Sequence, residues 1–364
     1  MRMRYIIPVI AAALATGAAS AQQTRLLTAD KHNEYGLVYT LPQTALEIEV
    51  TATRTVEKAG PYFQYAKKYI GTDNVVKADS EKWTITGVKV TPYGVADDEE
   101  EYLMQLKPGA LTYICVGDDS MLAAINKDLK QAADRPARKV REKREGKDEP
   151  LDMKEYLQYV NEDFIASQSS AKQAQMLAEN MMEIREAKVA LTRGTAETMP
   201  TDGRQLELML NSLARQEAAM TAAFCGTTQT ETFTNRYTFV PAEDGRNILF
   251  RMSDFAGFVD ADDLSGDPVY LTVEVTRRGE LPVDSKGEEK KLPKDAVMYN
   301  IPGAARISIS TLGRTLFEEE FDFAQFGVKF GLTPSLFSNK KERSYAIFDT
   351  VTGALKEIGE DVGE

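Results

Sequence analysis

One histidine, two cysteines and one tryptophan are all that 364 residues contain, and each scarcity removes a class of chemistry. A Ser-His-Asp or Cys-His arrangement needs an imidazole. The single His32 stands in the polar segment ADKHNEY, with no nucleophile elbow near it. A histidine-based metal site is excluded. Cys115 and Cys225, far apart in the chain, do not make a structural zinc site or a disulfide scaffold. They sit in LTYICVG and AAFCG and read as small buried hydrophobes, with their pairing left open. Phosphate-cradling, dinucleotide-binding and H-E-x-x-H patterns are missing. Positive charge is also short: 44 Lys and Arg stand against 56 Asp and Glu, for a net charge of −12. That balance favours solubility and excludes long-range attraction to nucleic acid.

Long apolar runs are missing too. The only one, from Ile6 to about Ala15, is shorter than the roughly 20 residues that span a bilayer. It follows Arg2 and Arg4 and precedes the small-x-small site Ala19-Ser20-Ala21. Residues 1–21 therefore read as a secretory signal peptide. The expected address is export, to the periplasm or the cell surface, with no transmembrane segment after signal removal and no cysteine for a lipid anchor.

What remains alternates between β and helical patterns. Residues 22–126 read as an N-terminal β-rich domain. In ALEIEVTATRTV, Leu46, Ile48 and Val50 face one way and Glu47, Glu49 and Thr51 the other. A short helix is expected with Pro61 in its first turn and Gly71 beyond its end. Residues 127–150 mix basic and acidic residues with few apolar ones, and read as a charged linker. A basic patch for an anionic envelope surface is the sharper reading of that stretch. Residues 151–226 read as a helical hairpin. Ser170 and Gln173 offer one capping box and Asp202 and Gln205 a second, with Gly194 and Gly226 as stops. Leu177, Met181, Ile184 and Leu191, then Leu206, Leu210, Leu213, Met220 and Phe224, supply the apolar stripes. Residues 227–364 return to β, with a turn expected at Leu312-Gly313.

Few residues bid for chemistry. Ser169 and Lys172 make an S-x-x-K pair at a helix start, without its companion motifs, so capping explains the serine. Asp260, Asp262, Asp263 and Asp267 fall within VDADDLSGDPVY. Oxygen ligands so grouped suit calcium, yet Leu264 and Leu271 stand where an EF-hand needs ligands, and aspartates also build turns. Asp97, Asp98, Glu99, Glu100 and Glu101 form an acidic run that reads as a solvated loop. Trp83 lies in an alternating stretch and reads as core.

Several stretches together resemble one exported family, domain of unknown function 4831. They are GLVYTLPQTALEIEV, GPYFQYAKKYIG, VTPYGVAD, EIREAKVALTRGTAETMPTDGRQLELMLNSLARQE, FCGTT, GFVDADDLSGDPVYL, IPGAARISI, AQFG and VTGALKEI. The resemblance implies export and one shared architecture. It implies no activity, no cofactor and no catalytic residue. The resulting expectation is an α+β chain: two β-rich, sandwich-like domains with a long antiparallel helical hairpin between them. The leading functional reading is a non-enzymatic envelope protein that binds a protein partner or serves as an assembly or scaffold component, with an envelope protein or a second copy docking through the hairpin. Alternatives are a carboxylate-dependent hydrolase of glycan or peptidoglycan and a calcium-stabilised binding module.

Overall fold

A computed structural model describes residues 23–26, 36–105, 114–117, 119–128, 152, 154–337 and 343–361. The expected signal peptide, His32 and most of the charged linker lie outside the described residues. Among the described residues, no helix is long and apolar enough to cross a membrane.

The fold is α+β, rich in strand and divided among several sheets. Its spine is an antiparallel ribbon of β2 (Leu37–Lys58) and β3 (Ser80–Gln105). The two-residue period dictates its burial: Leu46, Ile48 and Val50 are fully buried, while Glu47 and Glu49 on the other face are half-buried. Two register shifts bend it, between Thr40 and Pro42 and between Thr51 and Ala52. The acidic run is not a loop. It lies within β3, and Asp97–Glu100 form the excess residues opposite Leu41 in the first shift. Within it Glu100 takes the Lys329 ammonium and the Tyr102 hydroxyl, the latter at 2.6 Å.

β6 (Thr227–Phe239) pairs with the other side of β2 over 13 residues, and β1 (Gln23–Leu26) pairs with the far end of β3, giving the order β1-β3-β2-β6. A second sheet holds β7 (Gly245–Ser253), β8 (Gly257–Val259), β9 (Asp267–Arg277), β10 (Val297–Thr311) and β11 (Arg314–Leu332), in the order β11-β10-β9-β7-β8. A third holds β4 (Ile114–Val116), β5 (Leu122–Ile125), β12 (Arg343–Phe348) and β13 (Leu355–Asp361), in the order β13-β12-β5-β4. The sheets thus cross the boundary expected between residues 22–126 and 227–364. β6 completes a sheet begun by β2 and β3, and β12 and β13 complete one begun by β4 and β5. The expected turn at Leu312-Gly313 is present, with both residues at positive φ, as a two-residue hairpin requires.

Two apolar cores hold these sheets together. In one, Leu46, Ile48 and Val50 of the ribbon meet Phe250, Leu271, Ile307 and Phe323 of the second sheet. In the other, Tyr39 and Tyr102 meet Leu122, Ile125, Tyr299 and Phe348. Beyond Ala52 the three strands of the ribbon carry no residue of either core. They continue for about 20 Å at roughly 3.4 Å per residue. Arg54 braces this stretch through Glu81 at 2.8 Å and Glu231 at 3.3 Å, and Trp83 packs on Phe233 with ring centroids 4.9 Å apart.

At the far end sits a helical layer with a core of its own. It comprises α1 (Ala66–Ile70), α2 (Glu162–Ala166), α3 (Ser170–Arg193) and α4 (Gly203–Cys225), with 3-10 turns at Phe63–Tyr65 and Glu155–Tyr159. Ser169, rather than Ser170, caps α3 by accepting the Lys172 N–H. Gln173 is drawn elsewhere: its amide donates to the Ser167 and Phe164 carbonyls and accepts the Tyr62 hydroxyl. Asp202 caps α4 by accepting the Gln205 N–H at 2.7 Å. α3 and α4 lie alongside each other in opposite directions, as the contacts Met181–Thr221 and Arg185–Glu217 require. Leu177, Met181 and Ile184 meet Met220, Phe224 and Tyr62 in the core.

Candidate functional site

The largest gathering of buried polar groups joins all three sheets. Thr44 donates its hydroxyl to the Val351 carbonyl at 3.0 Å and accepts the Ala324 N–H at 3.1 Å. The Gln325 amide accepts the Thr44 N–H and donates to the Thr44 and Pro241 carbonyls. Asn300, only 3% exposed, donates to the Pro42 and Thr352 carbonyls at 3.1 and 2.9 Å. Asp349 accepts the Val351 and Thr352 N–H groups and pairs with Lys356 at 2.7 Å. Burial would raise that carboxyl, but Lys356 and the two N–H groups together hold it below the usual carboxylate range. Gly94 closes the junction. A Cβ there would stand 1.9 Å from the Thr350 carbonyl oxygen. Four of the stretches carrying the family resemblance meet here, LPQTALEIEV, VTPYGVAD, AQFG and VTGALKEI, and Asn300 directly precedes a fifth, IPGAARISI. Their polar side chains are committed to backbone groups, so the junction is a lock between sheets.

The four aspartates are placed differently. They lie on and around the turn between β8 and β9. The Asp260 carbonyl accepts the Asp263 N–H, and the Asp263 carboxylate accepts the Ser265 N–H at 2.9 Å. Ser265, through its backbone N–H and then its hydroxyl, holds the Asp263 carboxyl below its ordinary range. Arg251 of β7 supplies a cation, donating to the Ala261 and Gly266 carbonyls at 2.9 and 3.1 Å. Among the described residues, no three His, Cys, Asp or Glu side chains converge as a metal site would require. The turn bonds and the guanidinium already support this loop. Millimolar calcium is therefore expected to leave the Tm unchanged. A rise with calcium and none with magnesium would show that the aspartates hold a cation.

Among the described residues, three further carboxyls are displaced from their ordinary range. Asp79, Glu81 and Glu217 are all displaced downward, by the Ala59 N–H, by Arg54, and by Arg185 with Lys188 respectively. The buried Glu155 is tied to Arg215 Nε at 2.5 Å and to the Tyr159 hydroxyl. Cys115 and Cys225 are half-buried free thiols, and burial pushes the Cys225 thiol up.

Concave surface is found instead on the outer face of α3. One open groove of about 570 Å³ is lined by Lys68 and Tyr69 of α1 and by Glu179, Met182 and Glu183 of α3. A second, of about 310 Å³, continues along Glu186, Val189 and Arg193. Met182 in the first and Val189 in the second remain 44% and 45% exposed. The seven-residue spacing between them places both on one helix face. The face mixes apolar and charged side chains, and at its α1 edge the Lys68 ammonium donates to the Tyr69 hydroxyl at 3.2 Å.

Sequence reasoning missed Thr44, Asn300 and Arg251. Only the last left a trace, as a charge within the apolar strand NILFRM. A family model described as "Domain of unknown function (DUF4831)" matches residues 35–356. No curated protein and no solved structure matches the chain.

Proposed function

This chain belongs to the family described as Domain of unknown function (DUF4831), and we propose for it a role that needs no catalytic centre: a non-enzymatic exported protein of the cell envelope that binds a protein partner. The sandwich-like pairing of sheets serves as the body, and the α3–α4 hairpin is the docking element. The observation that carries this reading is the placing of the helical layer. It has its own core, it stands on a ribbon outside the β cores, and its outer face has grooves with Met182 and Val189 exposed. Export rests on residues 1–21. A carboxylate-dependent hydrolase would need a general acid with a raised pKa, and the displaced carboxylates all move the other way.

Crosslinking in intact cells, followed by mass spectrometry, tests the proposal. One dominant envelope protein is expected on the α3 face. The double change Met182→Glu and Val189→Glu is expected to reduce its capture at least about tenfold, since each puts a charge into a desolvated contact. Capture that is unchanged in that variant, or mapped only to the β body, would reject the helical face as the docking element.

A further inference from the structure

Sheet edges are templates for pairing, and proteins blunt them with short strands, charge, proline or bulges. Among the described residues, every sheet edge but one carries such a device. β1, β4 and β8 are three or four residues long. β13 carries Lys356, Glu357, Glu360 and Asp361. β11 carries Glu318, Glu319, Glu320 and Asp322 and has two register shifts. The free side of β3 carries Lys82, Lys89, Pro92 and the acidic shift at Asp97–Glu100. β6 differs from all of them. Its 13 residues pair with β2 without a register shift and include no proline and no lysine. From Thr230 to Arg236 every residue is exposed. Its two charges are already met within the sheet, Glu231 by Arg54 and Arg236 by Glu49.

We propose that the free edge of β6 pairs with β6 of a second copy of this chain, antiparallel about a two-fold axis at Phe233. Self-complementarity selects this occupant. A two-fold axis perpendicular to the sheet keeps each face on its own side. Centred on Phe233, it sets Glu231 opposite Asn235, Arg236 opposite Thr230, Thr232 opposite Thr234, and Phe233 opposite itself. No like charges meet. On the outer face, the hydroxyl row of Thr228, Thr230, Thr232 and Thr234 continues the row of Thr51, Thr53 and Thr55 in β2, where Thr51 and Thr234 already bond at 3.2 Å. On the inner face, Phe233, 40% exposed beside Trp83, gains an aromatic partner across the axis. This contact is separate from the grooves of α3, so either can fail alone.

Sedimentation equilibrium of the full exported chain tests it. A monomer–dimer equilibrium is expected. The double change Thr232→Lys and Thr234→Lys sets lysine opposite lysine on the solvent face, and is expected to raise the dissociation constant at least about tenfold, with an unchanged Tm at concentrations where both chains are monomeric. A second variant, Phe233→Cys with Cys115 and Cys225 replaced by alanine, is expected to oxidise to a disulfide-linked dimer through its single thiol. A chain that stays monomeric at about 100 μM overturns the proposal, as does a dimer indifferent to the two lysines. A dimer that forms while the Phe233→Cys chain yields no linked product overturns the register.

Discussion

Replacing Asn300 by alanine is expected to destabilise the protein by about 3–5 kcal/mol, as much as removing a buried aromatic ring. The magnitude follows from what the amide holds. Its two N–H donors are spent on the Pro42 and Thr352 carbonyls, and its own backbone N–H meets Gly353. Truncation leaves two buried carbonyls without that donor, at about 1–3 kcal/mol each, and opens a cavity beside Gly353. The damage also spreads. The same turn delivers the Val351 carbonyl to Thr44 and the Thr350 carbonyl to Gly94, so loosening it releases the third sheet from the ribbon. Urea unfolding is the measurement, with a lowered midpoint and an unchanged m-value expected. Leu312→Ala, at the 77% exposed tip of the β10–β11 hairpin, is the matched control and is expected to change stability by under about 0.5 kcal/mol. An Asn300→Ala chain as stable as that control would mean the junction is no lock.

Phe224→Ala is the second large effect, and its signature is different. Phe224 is fully buried where α4 meets Tyr62, and its loss is expected to cost about 3–5 kcal/mol. Here the loss is expected to be local. The core around Phe224 is drawn from residues 62–66, 156–164, 174–184 and 219–224, and none of these contributes to the two β cores. Helical circular dichroism is expected to melt at a lower temperature than in the unsubstituted chain. The tertiary signal of Trp83, the only tryptophan, which lies on the ribbon outside both β cores but packs on Phe233 and against Gly257 of β8, is expected to keep its transition. One shared transition, moved as a whole, would show that the helical layer and the body unfold as a unit.

Local order was legible in the sequence wherever its cause is local. The alternation at Leu46, Ile48 and Val50, the Asp202 cap, the αL stop at Gly194 and the Leu312-Gly313 turn each depend on a few neighbouring residues. The cap read at Ser169 is present, whereas the expected Ser170–Gln173 box does not form, because Gln173 is claimed by Tyr62 and Ser167. Sheet membership was not legible. Nothing in TTQTETFTNRYTF says that it pairs with β2, some 180 residues earlier, and the expected boundary between two β segments followed the chain where the sheets do not. The acidic run was misread for a related reason, since Lys329, which compensates Glu100, comes from β11. Of the candidate site residues, the four aspartates were visible as a cluster, but the Arg251 that braces their turn comes from another strand. Thr44 and Asn300 have no motif at all, because a buried threonine or asparagine acquires meaning only from the backbone brought against it.

The proposed role rests on the helical layer being a separate unit carried by the body. Native-state hydrogen exchange read by mass spectrometry is its most direct test. The account predicts that α3 and α4 open together, with a protection lower than that of β9 and β10, and that Phe224→Ala lowers protection in the helices while leaving those strands unchanged. Equal protection throughout, or a Phe224→Ala effect that reaches β9 and β10 in full, would contradict it.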